Sequence, residues 1–104
     1  MAAPTQAVLD SLRAHEAELR SLGVRSLALF GSVARGEAAA GSDVDLVVRL
    51  GPEFSTGGFD HFGRLDALRR RLAAIVGRDV DLIEEPVRKA RLRREIEAAR
   101  VHAF

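Results

Sequence analysis

Leu27-Ala28-Leu29-Phe30-Gly31-Ser32-Val33-Ala34-Arg35-Gly36 and, after a short run of small residues, Asp43-Val44-Asp45-Leu46-Val47-Val48-Arg49-Leu50 decide the fold of this chain. The first stretch is an apolar run of strand length that ends abruptly on Gly31-Ser32. The second begins polar and ends apolar, so it reads as a strand whose acidic beginning lies at a rim of the sheet. Side chains two apart on a strand leave the same face, which places the alpha carbons of Asp43 and Asp45 roughly 6 to 7 Å apart with both carboxylates able to reach one point.

Outward from this centre, Val8, Leu12, His15, Leu19 and Leu22 recur at steps of three and four before Gly23, which predicts a first amphipathic helix stopped by glycine. Gly51-Pro52 and Gly57-Gly58 bracket a loop, and Phe62, Leu65, Leu68, Leu72 and Ile75 then keep helical spacing up to Gly77. Asp79-Val80-Asp81-Leu82-Ile83 repeats the pattern that opens the second strand. Pro86 is placed as the first residue of a last helix running to about Arg100. The order helix, strand, short turn, strand, helix, strand, helix points to an α/β or α+β domain, a small mixed sheet of about three strands flanked by helices.

The 104 residues fit a single domain, 1–104, with no room for a second core. Hydrophobic residues make up 47% and charged residues 30%, the balance of a chain that folds rather than stays disordered. No apolar run approaches the roughly 20 residues of a membrane span and no signal region opens the chain, so the expected location is the cytoplasm. The absence of cysteine excludes disulfides, thiolate metal sites and a cysteine nucleophile. His15, His61 and His102 are scattered without ligand spacing, which leaves carboxylate oxygen as the donor for any metal. A formal net charge of +1 gives no argument for nucleic acid bound through bulk charge.

Two carboxylates on a strand bordered by Val44, Leu46, Val47 and Val48 repel each other and are costly to desolvate without a cation. A divalent ion supplies that charge, and oxygen donors favour Mg²⁺ or Mn²⁺, which keep water and substrate phosphate in their remaining positions. Taken alone, Asp43 and Asp45 equally mark an exposed strand end. Gly31-Ser32 after an apolar strand lets backbone amides and a hydroxyl approach a phosphate, and taken alone it equally marks a tight turn with a serine cap. Asp81 becomes a third carboxylate of the same site if its strand lies beside the second.

Leu29 to Gly36, the ten positions between Ser32 and Asp43, and Ser42-Asp43-Val44-Asp45-Leu46 together resemble the minimal nucleotidyltransferase family of the polymerase-beta-like superfamily. The resemblance runs from the first helix to about Pro86. It implies the nucleotidyltransferase fold, with Asp43, Asp45 and Asp81 as catalytic and metal-binding residues and Gly31 and Ser32 holding the triphosphate of ATP. It implies two Mg²⁺ ions and transfer of AMP to an acceptor hydroxyl with release of pyrophosphate. Arg35, in the turn beside the phosphate site, is a further candidate for the nucleotide, with a salt bridge to Glu37 as its structural alternative. Short relatives of this kind are antitoxins paired with a HEPN-domain ribonuclease toxin, so the resemblance implies a hetero-complex and AMP transfer to a tyrosine of the toxin. A chain without tyrosine cannot label itself there.

Residues 86–104 carry six basic side chains against two acidic ones, and Arg69 to Arg71 cluster on the preceding helix. Such clusters are solvated helix faces or a meeting place for an acidic partner. A different function class therefore stands beside the enzyme: a binding module that silences its partner by covering it, with the acidic site catalytically irrelevant.

Overall fold

The computed structural model describes residues 4–34, 43–55 and 61–104. The elements run α1 (Pro4–Ala14), α2 (Glu16–Ser21), β1 (Val24–Phe30), α3 (Gly31–Ala34), β2 (Val44–Leu50), a short 3-10 turn (Pro52–Ser55), α4 (His61–Val76), β3 (Val80–Glu84), α5 (Ala90–Ala99) and β4 (Val101–His102). They form one mixed four-stranded sheet in the order β3-β2-β1-β4. β1 pairs antiparallel with both β2 and β4, and β2 pairs parallel with β3.

The parallel pair needs a long crossover, and α4 supplies it. Its Leu68 and Leu72 are buried against the sheet together with Leu9 and Leu12 of α1 and Leu19 of α2. From the strands, Leu27, Leu29, Val44, Leu46, Val48 and Val80 point into this layer. The opposite face is thinner: Ala28, Phe30 and Val47 pack there against Ile96 of α5, with Ile83, Val87 and Leu92 partly buried around them. Each strand thus alternates between a thick core on one side and a thin one on the other.

Four features depart from the sequence reading. The sheet has four strands rather than about three, because the chain after α5 returns as β4 and sets Val101 opposite Leu29 and His102 opposite Ala28. The first helix is two helices, α1 and α2, with a break at His15, whose Nδ1 lies 2.8 Å from the Ser11 carbonyl. The last helix starts at Ala90 instead of Pro86. The Glu85 amide donates to the Val48 carbonyl at 2.8 Å and the Glu85 carboxylate meets Arg100 and Arg49, so the chain is still leaving the sheet at Pro86. Finally, Phe62 keeps the helical spacing of α4 but is 84% exposed, at the rim of the helix rather than on its buried face.

One glycine is needed for packing. Gly23 closes α2 at φ +106°, and a Cβ on it would lie 2.9 Å from Cβ of the buried Phe54. This close approach lets Gly23 accept a 2.8 Å hydrogen bond from the Gly51 amide and ties the start of β1 to the end of β2.

Candidate active site

β1 delivers the first part of the site. Phe30 is the last residue of the strand and Gly31 turns the chain at φ +74°, a conformation that costs other residues about 1–2 kcal/mol. The space a side chain would fill at Gly31 is taken by the carboxylate of Asp45, since a Cβ there would overlap Asp45 Oδ2. Phe30 and Asp45 are cross-strand partners in the antiparallel ladder, which explains the closeness. The glycine turn and the acid are therefore one packed unit.

The parallel ladder delivers the rest. Val44 pairs with Val80 and Asp45 with Asp81, placing the two aspartates side by side on neighbouring strands about 4.8 Å apart in backbone spacing. The Val44 amide donates to the Asp79 carbonyl at 2.9 Å, extending the pairing one step toward the rim. Val44, Leu46 and Val80 are buried in the thick layer, so alternation turns Asp45 and Asp81 to the thin face; Asp45 is partly buried and Asp81 exposed. Asp43 sits immediately before β2 and is exposed.

These residues border an open cleft of about 770 Å³ lined by Phe30, Gly31, Asp45, Asp81, Ile83, Leu92 and Glu95. A smaller hollow of about 290 Å³ at Phe54 and Leu68 lies on the thick side of the sheet, away from these acids. The acid cleft lies at the Asp45–Asp81 end of the thin face, between α5 and the ends of β2 and β3. Leu92 and Glu95 were not legible as cleft residues in the sequence, where they look like ordinary positions of an amphipathic helix.

Of the residues singled out from sequence, Gly31, Asp45 and Asp81 line one cleft, whereas Asp43, exposed just before β2, is not among its lining residues. Ser32 is in α3, but its side chain lies outside the described residues, as does all of Arg35 together with Glu37. Among the described residues, no group of three or more histidine, aspartate or glutamate side chains is gathered tightly enough to hold a metal ion. Two in-register carboxylates nevertheless suit Mg²⁺, which is commonly held by one or two protein carboxylates with substrate phosphate and water completing its shell. The donor set fits that ion.

Comparisons with known proteins bear on the family and the fold. The nucleotidyltransferase domain family matches residues 12–102. A protein of Methanocaldococcus jannaschii, provisionally named a protein adenylyltransferase, is 39% identical over 77 residues, 73% of each chain. The protein adenylyltransferase MntA of Thermococcus cleftensis is 40% identical over 73 residues, covering 69% of this chain and 68% of its own. Among solved structures, a protein provisionally described as a minimal nucleotidyltransferase is 30% identical with a TM-score of 0.65, covering 89% of this chain and 93% of that one. A toxin-antitoxin structure with AMP-PNP has a TM-score of 0.64 at 20% identity, covering 96% of this chain and 72% of that one. A complex of tri-AMPylated Shewanella oneidensis HEPN toxin with its MNT antitoxin has a TM-score of 0.54 at 20% identity, covering 88% and 70%. The last two likenesses bear on the fold. No helix among the described residues is long and apolar enough to cross a membrane.

Proposed function

The chain belongs to the nucleotidyltransferase domain family, and from that premise we propose that it moves AMP from ATP to a tyrosine hydroxyl of a partner HEPN-domain toxin and so acts as its antitoxin in the cytoplasm. Residues 1–104 serve as one catalytic unit. The observation that carries the reading is the register of Asp45 with Asp81 beside a glycine turn into which the Asp45 carboxylate packs. Names borne by the sequence relatives, protein adenylyltransferase in both cases, support protein as the acceptor.

In this reading Asp43, Asp45 and Asp81 would hold two Mg²⁺ ions, with Mn²⁺ as a substitute, and the ions when bound would supply positive charge to the triphosphate and the attacking oxygen. Gly31 keeps the backbone bare where the triphosphate passes, and Ser32 and Arg35 complete the phosphate contacts. The acceptor oxygen forms a bond to the α-phosphorus, the bond from that phosphorus to the bridging oxygen breaks, and pyrophosphate leaves. The hydroxyl proton passes to the Asp81 carboxylate. Catalysis of this kind comes mainly from placement and charge, which a thin sheet edge with a few acids can provide.

The test is co-expression with the product of the adjacent gene followed by mass spectrometry of that product. Addition of an adenylyl group to a tyrosine, with label arriving from α-labelled but not γ-labelled ATP, is the expected result. Silencing of the partner without any added mass would replace the enzyme with a module that acts by covering its partner.

A further inference from the structure

α5 lines the acid cleft with Leu92 and Glu95, yet little in the helix itself keeps it there. It has 10 residues, fewer than the roughly 12–15 at which an isolated helix becomes even marginally stable, so its place depends on tertiary contacts. Ile96 is its one buried side chain, its first turn has no side-chain cap, and residues 85–89 leading into it lie in neither helix nor strand.

The two ends of the segment are joined to each other. Glu85, whose amide donates to the Val48 carbonyl, stands just before residues 86–99, and Arg100 stands just after them at the start of β4. Arg100 Nη1 donates to Glu85 Oε1 at 3.2 Å. With side chains 20% and 14% exposed, this is the most buried ion pair among the described residues, and a pair so far from water is costly to break from one side. The second oxygen of Glu85 lies 3.6 Å from Arg49 of β2, which alternation from Val47 places on the thin face. One carboxylate thus ties both ends of the α5 segment to the sheet.

We propose that Glu85 is a positioning residue: paired with Arg100, it clasps the α5 segment and holds Leu92 and Glu95 in place as a wall of the acid cleft. The inference rests on the reading of that cleft as the nucleotide site. Glu85 is not among the residues lining the cleft, so it acts through α5. Closing the ends of the segment removes conformational freedom that Ile96 alone does not restrain. Without Glu85, Arg49 and Arg100 lose the acid they share and the wall loosens, while Asp45 and Asp81 stay fixed by the β2–β3 ladder. Loss of the clasp therefore weakens nucleotide binding and spares the chemical step.

Amide hydrogen exchange of the full chain, read by mass spectrometry, tests the clasp, and calorimetric titration with Mg²⁺ and a nonhydrolysable ATP analogue tests its consequence. In Glu85→Gln and in Arg100→Met, exchange across residues 90–99 should rise at least about tenfold relative to α4 and β1. Affinity for the analogue should fall at least about fivefold, and in the labelling assay KM for ATP should rise by the same factor with kcat within about twofold. Arg100→Lys, which keeps the charge, should recover most of both losses. Leu72→Ala, a truncation of the buried face of α4, supplies the contrast of a purely structural change: a lower melting temperature with KM unaltered. Unchanged exchange at 90–99, a rise spread evenly over α4 and β1, faster exchange with unaltered nucleotide affinity, or an Arg100→Lys variant no better than Arg100→Met would each overturn the proposal. If the natural chain binds no nucleotide or labels no partner, the proposed activity fails, and the exchange pattern still decides the clasp.

Discussion

The two faces of the sheet are built from the same strands and do opposite work. On the thick face Leu29, Leu46 and Val44 disappear under α1, α2 and α4; on the thin face Phe30 and Val47 meet a single helix, and a cleft stays open over Asp45 and Asp81. The difference is one residue of register. A strand that alternates apolar residues with an aspartate, paired in register with a strand doing the same, places Asp45 and Asp81 on one side. Stability is concentrated where the side chains are apolar, and the proposed chemistry where they are not.

Replacing Asp43 and Asp45 together by alanine is the strongest way to separate the two faces. Label transfer should fall by at least about 10³-fold, and the folded state should persist because neither acid belongs to the apolar core. Thermal denaturation beside an α-label assay checks both halves; equal collapse of both would mean that the acids are structural. Leu46→Ala, on the thick face between those acids and the core, should do the reverse. Leu46 is fully buried, so its truncation should cost about 2–5 kcal/mol by denaturant unfolding, with residual activity of the folded fraction close to normal. Gly31→Ala acts on both faces of the comparison at once. The left-handed backbone alone should cost about 1–2 kcal/mol, and the overlap with the Asp45 carboxylate should impair transfer beyond what that loss of stability explains.

The smallest effect belongs to the outer surface of the thick layer. There the Arg71 guanidinium hydrogen-bonds Glu18 at 2.5 and 2.8 Å, joining α4 to α2, and holds the Glu18 carboxyl below its ordinary value of 4.5. A carboxyl depressed by folding stabilises the native chain above that ordinary value and stops doing so as pH falls through the lowered one. The difference in melting temperature between the natural chain and Glu18→Gln should therefore be small at neutral pH, shrink in acid, and shrink again at high salt because the pair is exposed. A difference that grew in acid would contradict the assignment.

Much of this arrangement was readable before any coordinates. The apolar run ending at Gly31, the acid-to-apolar order of β2 and its echo in β3 follow from period-two patterning, and their pairing is what a strand, long helix and strand must form when parallel. β4 was hidden because two residues carry no periodicity; only the backbone bonds between Leu27 and the 103–104 end reveal the return of the chain. The break at His15 has no proline or glycine to announce it. Phe62 obeys the spacing of α4, yet spacing says nothing of whether the end of a helix overhangs its sheet. Leu92 and Glu95 became part of the cleft only through the packing of α5 on the thin face, a tertiary fact with no local signature. Ser32 and Arg35, with the whole small-residue run from 35 to 42, remain readings of the sequence.

The parallel pairing of β2 with β3 has one more consequence. Asp81 reaches Asp45 only after the chain has gone out through the 3-10 turn and back along α4, so a polypeptide emerging from the ribosome holds half an acid pair until that excursion is complete. With that pair as the proposed catalytic centre, competence would arrive late, as a by-product of finishing the architecture, and an immature or fraying molecule would be silent rather than indiscriminate.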